Sequence, residues 1–272
     1  MPQTSQNPHL KIVGADSDSA ATQPAVSFEN VSVWMGENCI LSGVNTALPE
    51  KGVTCLVGPS GAGKSTFLRA LNRINDEVDG YSLRGSVKIG KRDIHDFTDI
   101  TELRRKVGMV FQRPCVFPRS IAENVLFGVR GVKLTAAEKS ELVEDSLRRA
   151  ALWDEVKARL NQSAMVLSLG QQQRLCIARA LAIKPEILLL DEPTASIDPT
   201  SGRAIEDLVL QLGKDTTVIM VTHNIAQTKR IADHVLFLCD GAIMEAGPAS
   251  YMFSSKSDGQ TRSYLGEEFC DC

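Results

Sequence analysis

The stretch GPSGAGKST combines small residues with one lysine and hydroxyl side chains at the spacing GxxxxGK[ST]. An apolar run, GVTCLVG, leads into it, and a predicted helix, KSTFLRALNRI, follows it. Glycine lets a backbone turn successive N–H groups inward, where they and the positive end of a following helix attract phosphate oxygens. The residues of this loop are Gly58, Pro59, Ser60, Gly61, Ala62, Gly63, Lys64, Ser65 and Thr66.

Three side chains of the loop have the chemistry to hold a nucleoside triphosphate. Lys64 is predicted to reach the β- and γ-phosphates as a positive charge, and the Ser65 hydroxyl to ligate Mg²⁺. Thr66 can add a further phosphate contact. The alternative is a chance glycine-rich turn, which the strand–loop–helix context disfavours. The sequence therefore predicts a site for ATP and Mg²⁺.

Two carboxylates end the apolar run ILLLDEP. Asp191 is predicted to hold Mg²⁺ through water, and Glu192 to orient an attacking water or to accept its proton. The alternative is a strand that ends in a solvated acidic turn. Ligands of open α/β sheets bind at the carboxyl ends of the strands, so the presence of the phosphate loop favours the catalytic interpretation.

Two further strand ends carry polar side chains that suit the same site. His223 ends VIMVTH, and Gln112 ends GMVFQ. A lone histidine is more often a core or capping residue, but a strand beside that of Asp191 would bring His223 to the same sheet edge. The amide of Gln112 can ligate Mg²⁺ and contact water. We predict catalytic roles for Glu192, His223 and Gln112, and metal ligation by Ser65, Gln112 and Asp191.

The composition limits the classes of partner. Of the 272 residues, 43% are hydrophobic and 23% charged, and the net charge of −3 gives no bulk attraction for nucleic acid. Apolar runs such as 187–190 are too short to span a bilayer. The first residues, MPQTSQNPHL, lack the basic start and apolar core of a signal peptide. We expect the chain to stay in the cytosol, where it can dock onto a membrane partner.

The order of elements predicts the fold class. Apolar strands without alternation, separated by helices, indicate an α/β protein with a largely parallel buried sheet. Short strands with turns are predicted between residues 26 and 50. In the helical section, Thr135 and Glu138 predict a capping box. The pair Asp240-Gly241 predicts the turn of a β-hairpin.

The domain boundaries follow from changes in composition. Residues 1–25 are polar and aperiodic and predict a disordered lead. One domain is expected over 26–267, with a helical subdomain at about 113–183, and 268–272 form a tail.

One more motif, LSLGQ at 167–171, precedes a predicted helix. With the phosphate loop, the polar strand ends and this order along the chain, it resembles the ATP-binding cassette (ABC) family over about residues 26–267. The resemblance implies a P-loop NTPase core with an antiparallel β region and a helical subdomain, and an ATPase that drives membrane transport. It implies that 58–66 form Walker A, Gln112 the Q-loop, Asp191 and Glu192 Walker B, 195–198 the D-loop, and His223 the switch histidine.

The motif LSLGQ corresponds to the signature of that family, usually LSGGQ. In the family, two subunits face head to tail, and each ATP lies between the phosphate loop of one and the signature of the other. The resemblance therefore implies a homodimer with a second copy of the chain. The γ-phosphate would accept hydrogen bonds from the Ser168 hydroxyl and from the backbone amide near Gly170. Gln171, the last residue of the motif, is also present.

Longer stretches, among them FPRSIAENV and QQQRLCIARALAIKPEILLLDEPTASIDP, are similar to the ATP-binding subunits of bacterial phosphate importers. The likeness implies inorganic phosphate as cargo, a periplasmic substrate-binding protein and two transmembrane permease subunits. It also implies a peripheral position on the cytoplasmic face of the inner membrane. An ATPase subunit does not touch the cargo, so phosphate rests wholly on this likeness. An importer of another oxyanion or of a polar amino acid is the rival hypothesis.

Three positions depart from the family pattern. Trp34 lies one residue away from the position at which the family usually has an aromatic ring that stacks on adenine. Trp34 either stacks on adenine or packs in the sheet. Ala195 replaces a serine of the D-loop, which keeps Asp198. Leu169 replaces a signature glycine, which costs about 1–2 kcal/mol if the backbone there has a positive φ. If the backbone is ordinary, only the fit against the opposing copy changes. Neither case removes a donor, and we expect an active ATPase.

Other functions fit the motifs less well. A P-loop small-molecule kinase lacks LSxGQ and the strand-end histidine, and it generally carries an arginine-rich lid. Cassette proteins of DNA repair or translation usually have two cassettes or a long coiled-coil insertion. A regulatory subunit without hydrolysis would have lost a catalytic group. The stretch RPCVFPRS is expected to receive a helix of a membrane subunit, and Phe117 and Pro118 in it are either exposed contacts or ordinary core residues.

Overall fold

The structure, a computed structural model, describes residues 11–12 and 23–266. The strands are β1 (Lys11–Ile12), β2 (Val26–Met35), β3 (Asn38–Leu48), β4 (Val53–Val57), β5 (Tyr81–Ile89), β6 (Arg92–Asp93), β7 (Val107–Val110), β8 (Ile187–Asp191), β9 (Thr217–Val221), β10 (His234–Cys239) and β11 (Ala242–Pro248). The helices are α1 (Lys64–Ala70), α2 (Ile100–Lys106), α3 (Ile121–Val125), α4 (Ala136–Arg149), α5 (Trp153–Val156), α6 (Leu169–Leu181), α7 (Pro199–Gly213), α8 (Ile225–Ile231), α9 (Ala249–Met252) and α10 (Gly259–Leu265).

The main sheet has seven strands in the order β1-β11-β10-β4-β9-β8-β7. Strands β10, β4, β9, β8 and β7 run parallel, and β11 pairs antiparallel with β10. Every residue of β4, β8 and β9 is buried, because both faces of the sheet are covered. The predicted largely parallel sheet is confirmed.

A second sheet of four antiparallel strands, in the order β3-β2-β5-β6, covers one face of the main sheet. Phe28 of β2 stacks on Phe67 of α1, with ring centroids 4.1 Å apart and an interplanar angle of 16°. Both rings are fully buried, and this contact fixes α1 between the two sheets. The predicted strands of 26–50 are β2 and β3, which pair with each other.

Helices α3 to α6 form one segment between β7 and β8, and this helical segment packs with α7 on the other face of the main sheet. Alternate residues of β8 serve the two faces: Leu188 and Leu190 pack on the helices, and Leu189 packs towards α1 and the second sheet. The helix α4 begins with the predicted capping box between Thr135 and Glu138. The helical segment is thus anchored to the same sheet whose strands end near Gln112, Asp191 and His223.

The ends of the chain show one difference from the predictions. Within the predicted disordered lead, Lys11–Ile12 pairs in parallel with Glu245 and Ala246 of β11, and the rest of the lead up to residue 22 lies outside the described residues. Two residues of that lead are therefore a strand, because an unpaired edge of β11 offers backbone partners. The predicted tail at 268–272 also lies outside them.

The predicted hairpin turn is present between β10 and β11. Asp240 and Gly241 have φ values of 45° and 74°, as a two-residue turn of type I′ requires. A side chain at Gly241 would meet the backbone oxygen of Ile40 at 2.5 Å, so the turn lies tightly against the second sheet. In the ranges that the structure covers, no helix is long and apolar enough to cross a membrane.

Candidate active site

The loop at 58–66 joins β4 to α1, and two of its glycines meet neighbouring atoms too closely for any side chain. A Cβ at Gly58 (φ +152°) would lie 1.9 Å from the backbone oxygen of Leu238. A Cβ at Gly63 (φ +99°) would lie 2.8 Å from a methyl of Leu41 and 3.0 Å from the oxygen of Ile40. Strand β10 and the second sheet therefore hold the loop in its shape from outside.

Lys64 points back into the loop that precedes it. Its ammonium donates to the backbone oxygens of Gly58 at 2.7 Å and Pro59 at 2.8 Å, and the residue is 8% exposed. Burial lowers the pKa of Lys64, although the carboxylates of Glu192 and Asp191 oppose this effect. Phosphate oxygens are stronger acceptors than these carbonyl groups, so the ammonium is positioned to bind a phosphate that enters the loop.

Ser65 and Asp191 lie side by side where α1 meets the end of β8. The Ser65 hydroxyl donates to Oδ1 of Asp191 at 3.0 Å, and Nη2 of Arg69 donates to Oδ2 at 3.0 Å. The Asp191 side chain is 3% exposed, while that of Arg69 is 41% exposed. The carboxylate is thus buried and held between a hydroxyl and a cation.

The residues at this point fit a magnesium ion. Ser65 and Asp191 offer hard oxygen donors, which Mg²⁺ prefers, together with waters and substrate phosphates. Within residues 11–12 and 23–266 no group of three or more His, Cys, Asp or Glu could hold a metal by itself. A metal here would therefore need oxygen ligands from the nucleotide, as in sites built for phosphates.

Glu192 brings the three predicted catalytic residues together. Its Oε2 lies 3.2 Å from Nδ1 of His223 and accepts from Nε2 of Gln112 at 3.4 Å. The three residues follow β8, β9 and β7, which are neighbours in the sheet. Glu192 has a φ of 45°, a conformation that costs of order 1–3 kcal/mol for a residue other than glycine. Its backbone N–H donates to the oxygen of Val221 at 3.0 Å, which fixes this strained turn against β9.

The signature residues lie on a different element. Ser168 caps α6, its hydroxyl accepts from the N–H of Gln171 at 3.3 Å, and Oε1 of Gln171 accepts from the N–H of Ser168 at 3.1 Å. Nε2 of Gln171 donates to Glu155 at 2.7 Å. The hydrogen bonds of Ser168 and Gln171 therefore stay within the helical segment, and the described chain does not join them to the phosphate loop.

Leu169 is the first residue of α6, and its backbone is helical. It is not among the described residues with positive φ, so the first of the two explanations for its cost, backbone strain, does not apply. Its side chain is 43% exposed, and Met165 and Val166 beside it are 55% and 62% exposed. Leu169 therefore changes only the surface that faces outward from the start of α6.

Gly170, in contrast, has no room for a side chain. A Cβ there would lie 2.6 Å from both Cβ and Oγ of Ser201 on α7. Helices α6 and α7 thus approach each other closely at this point. The glycine that the chain keeps is the one that packing requires, and the glycine that it lacks is at an open position.

Two other departures from the family pattern have clear surroundings. Trp34 lies in β2, half-buried, with the guanidinium of Arg84 5.0 Å from its ring centroid. One face of the ring is therefore already used by a cation, and stacking on adenine stays a prediction. Ala195 is exposed, and Asp198 caps α7 by accepting from the N–H groups of Thr200 and Ser201.

Sequence reasoning missed residues that hold the site from behind. Arg69 lies one turn after Ser65 on α1, so helix spacing alone could have placed it beside Asp191. Gln173 is 1% exposed and donates to the oxygen of Phe111 at 3.1 Å, next to Gln112. Gln227, buried on α8, is a third. The contacts of Gln173 and Gln227 join distant parts of the chain, and no local pattern signals them.

The contact between Gly170 and Ser201 predicts a large effect of one methyl group. We expect Gly170→Ala to lower the free energy of unfolding by about 1–3 kcal/mol, because the helices must separate. Leu169→Ala should change it by less than about 0.5 kcal/mol, since that side chain is exposed. Urea unfolding measures both.

A second substitution tests the cause. Ser201→Gly in the Gly170→Ala background should recover most of the loss, because it removes both atoms that the new methyl group meets. A Gly170→Ala variant as stable as the wild type would contradict the inferred close approach of α6 and α7.

Comparisons with known proteins agree with this architecture. The family model for ABC transporters matches residues 41–195. The chain is 49% identical over 244 residues to the phosphate import ATP-binding protein PstB 2 of Aliivibrio fischeri, with 89% of each chain covered. It is 47% identical over 252 residues to the phosphate import ATP-binding protein PstB 2 of Mycobacterium tuberculosis, with 92% of this chain and 91% of that one covered.

Solved structures show the same fold. The protein cbiO1 of Clostridium perfringens, part of the ABC transporter complex cbiONQ, superposes with a TM-score of 0.76 at 28% identity, over 86% of this chain and 92% of that one. An ATP-binding cassette solved as a dimer with ADP and Pi superposes with a TM-score of 0.70 at 32% identity, over 82% of this chain and 98% of that one. By sequence and by structure, the chain belongs to the ABC transporter family.

Proposed function

We propose that the chain is the ATP-hydrolysing subunit of a membrane importer for inorganic phosphate. The observation that carries the proposal is the edge formed by β7, β8 and β9. There Asp191 and Ser65 stand together, and the next residue, Glu192, contacts His223 and Gln112. A phosphate loop directly before α1 completes a site for ATP cleavage.

Binding and cleavage use different residues of this edge. Lys64 and the free N–H groups at the start of α1 hold the phosphates of ATP. A bound Mg²⁺, held by Ser65 and Asp191 with Gln112 as a further ligand, would neutralise charge on the phosphates. The Glu192 carboxylate orients the attacking water and accepts its proton, and His223 and Gln112 hold that carboxylate in position.

The products are ADP, inorganic phosphate and a proton. The proton is taken up by Glu192 and leaves the site from there. Because Glu192 already accepts a hydrogen bond from Gln112, its free lone pairs are directed to a narrower range of positions. A cleft of about 210 Å³ lies beside it, lined by Glu192, Thr194, Ala195, Thr222, His223 and Asn224. The attacking water has room there.

The signature at the start of α6 supports a dimer with a second copy. In the proposed arrangement, Ser168 and the amide near Gly170 of one copy face the ATP of the other, with Gln171 capping the same helix end. The solved relative with ADP and Pi is itself a dimer. The exposed Leu169 then lies at the contact between copies, where it affects how tightly they close.

Phosphate is proposed as the cargo because the relatives cited above are named phosphate import ATP-binding proteins and match about nine-tenths of the chain. The remaining parts of the importer would be two transmembrane permease subunits and a periplasmic substrate-binding protein. The chain would act at the cytoplasmic face of the inner membrane. The segment 113–120, with Phe117 partly buried and Pro118 exposed, is the proposed contact for a permease helix.

Removal of the Glu192 carboxylate tests the proposed hydrolysis. Glu192→Gln keeps the size of the side chain but removes the proton acceptor, so the rate of ATP hydrolysis should fall by about 10²–10⁴. Leu169→Gly should hydrolyse ATP at a rate within about threefold of the wild type, because it removes no hydrogen-bond donor. Such a change corresponds to less than about 1 kcal/mol in the activation free energy. Steady-state release of phosphate measures the three proteins side by side. A wild type no faster than Glu192→Gln would contradict the proposed ATPase.

Uptake by whole cells tests the proposed cargo. Cells that lack this chain should lose high-affinity uptake of radiolabelled phosphate at low external concentration, and the wild-type chain should restore it. Glu192→Gln should not restore it, because uptake depends on hydrolysis. Uptake of sulfate and of glutamine, measured in the same cells, separates the rival cargoes. Normal phosphate uptake together with a loss of either of the other two would reject phosphate.

A further inference from the structure

A buried polar network lies beneath the turns that carry Glu192 and His223. Its centre is Gln227 on α8, which is 1% exposed. Thr194, two residues after Glu192, contacts Gln227 from one side. Thr222, directly before His223, contacts it from the other. One side chain therefore bridges the turn after β8 and the turn after β9.

The contacts of the Gln227 amide are short. Its Oε1 accepts from the Thr222 hydroxyl at 2.7 Å, and its Nε2 donates to the Thr194 hydroxyl at 3.1 Å. The same Nε2 donates to Oε1 of Glu206 on α7 at 3.1 Å. Both amide hydrogens and the amide oxygen thus have partners, and a buried amide in this state has one stable orientation.

Glu206 sets that orientation. Burial would raise its pKa, but hydrogen bonds from Arg230 and Gln227 outweigh this and lower the pKa of Glu206. Arg230 donates to both carboxylate oxygens, at 2.9 and 2.8 Å. An ionised carboxylate only accepts hydrogen bonds, so Gln227 must turn its Nε2 towards Glu206 and its oxygen towards Thr222.

One of the two turns that Gln227 connects has a strained backbone. Glu192 holds a positive φ, and the Thr222 hydroxyl also accepts from the N–H of Asn224 at 3.1 Å, which shapes the turn of His223. The 3.2 Å contact between Glu192 and His223 spans these two turns. The backbone bond from Glu192 to Val221 holds the start of the first turn, and the contacts of Gln227 with Thr194 and Thr222 connect the two turns a second time.

We propose that Gln227 is a positioning residue that fixes the distance between the turn of Glu192 and the turn of His223. Gln227 is buried beneath both turns, and its effect passes through Thr194 and Thr222. The inference rests on the proposed hydrolysis, because it concerns how the carboxylate that activates water is held. A misplacement of about 1 Å at such a site lowers a rate by about 10²-fold.

The central test compares two buried residues of the same helix. Gln227→Leu removes the three hydrogen bonds of the amide but keeps a similar volume. Thr228→Val is the matched control, because Thr228 is also fully buried and, among the described residues, its hydroxyl bonds back to the oxygen of Asn224 one turn earlier in the same helix, at 3.0 Å. For Gln227→Leu we expect kcat to fall by about 10–100-fold, with the ATP dissociation constant within about twofold of the wild type.

Thr228→Val should keep the wild-type kcat even if its melting temperature falls as much as that of Gln227→Leu. Equal kcat losses in both variants, or a loss of ATP binding in Gln227→Leu, would show a general effect on folding and overturn the proposal. So would an unchanged kcat in Gln227→Leu.

A milder pair covers the case in which Gln227→Leu fails to fold. Thr194 is only partly buried, so Thr194→Val should fold and still lower kcat, because it breaks one side of the bridge. Thr194→Ser keeps the hydroxyl and should recover most of that loss. Equal kcat values for the valine and serine variants would contradict the bridge.

A readout that does not need hydrolysis separates this inference from the proposed function. The chain has four histidines, so the imidazole signal of His223 can be assigned by NMR. Glu192→Gln should shift that signal, since it changes the contacting group. Gln227→Leu should shift it as well, and Thr228→Val should not. An unmoved signal in Gln227→Leu overturns the inference even if the protein proves not to hydrolyse ATP.

Discussion

The parallel alignment of β7, β8, β9 and β4 is the constraint on which the site depends. Parallel strands end at the same edge, so residues that are far apart in the chain become neighbours. Asp191 pairs in register with Val221, two residues before His223, and Val110 pairs with Leu190, so Gln112 ends beside Walker B. Burial on both faces fixes this register, because any slip would move apolar side chains out of their layer. The proximity of the polar residues at this edge is therefore a consequence of how the core packs.

At that edge, two adjacent carboxylates have separate environments. Asp191 is buried and held between Ser65 and Arg69, whereas Glu192 turns away in a strained conformation towards His223. Two negative charges at neighbouring positions repel each other, and the direct contact of Arg69 with Asp191 offsets part of this repulsion. In the proposed mechanism, Asp191 is kept for binding Mg²⁺ with the phosphates, and Glu192 is left to activate water. The polar network around Gln227 then holds the accessible one in place.

Much of this could be predicted from local patterns in the sequence. The phosphate loop, the polar strand ends, the capping box of α4 and the hairpin turn at Asp240 each have a short-range signature, and the structure contains them where they were expected. The bridge through Gln227 could not be predicted, because it depends on which helix lies under which strand ends. Leu169 could not be interpreted either, since its effect depends on whether the backbone is helical. Gly170 shows the same limit, for only the position of α7 explains why that glycine is needed.

The central claim is that one sheet edge binds ATP through the loop residues and cleaves it through the strand ends. Calorimetric titration of ATP into the wild type, Lys64→Ala and Glu192→Gln tests this division most directly. Lys64→Ala removes a charge-assisted hydrogen bond worth about 1.5–3 kcal/mol, so its affinity should fall by about 10–100-fold. Glu192→Gln should bind within about threefold of the wild type, a difference below 1 kcal/mol. Unchanged binding by Lys64→Ala, or equal losses in both variants, would contradict the account.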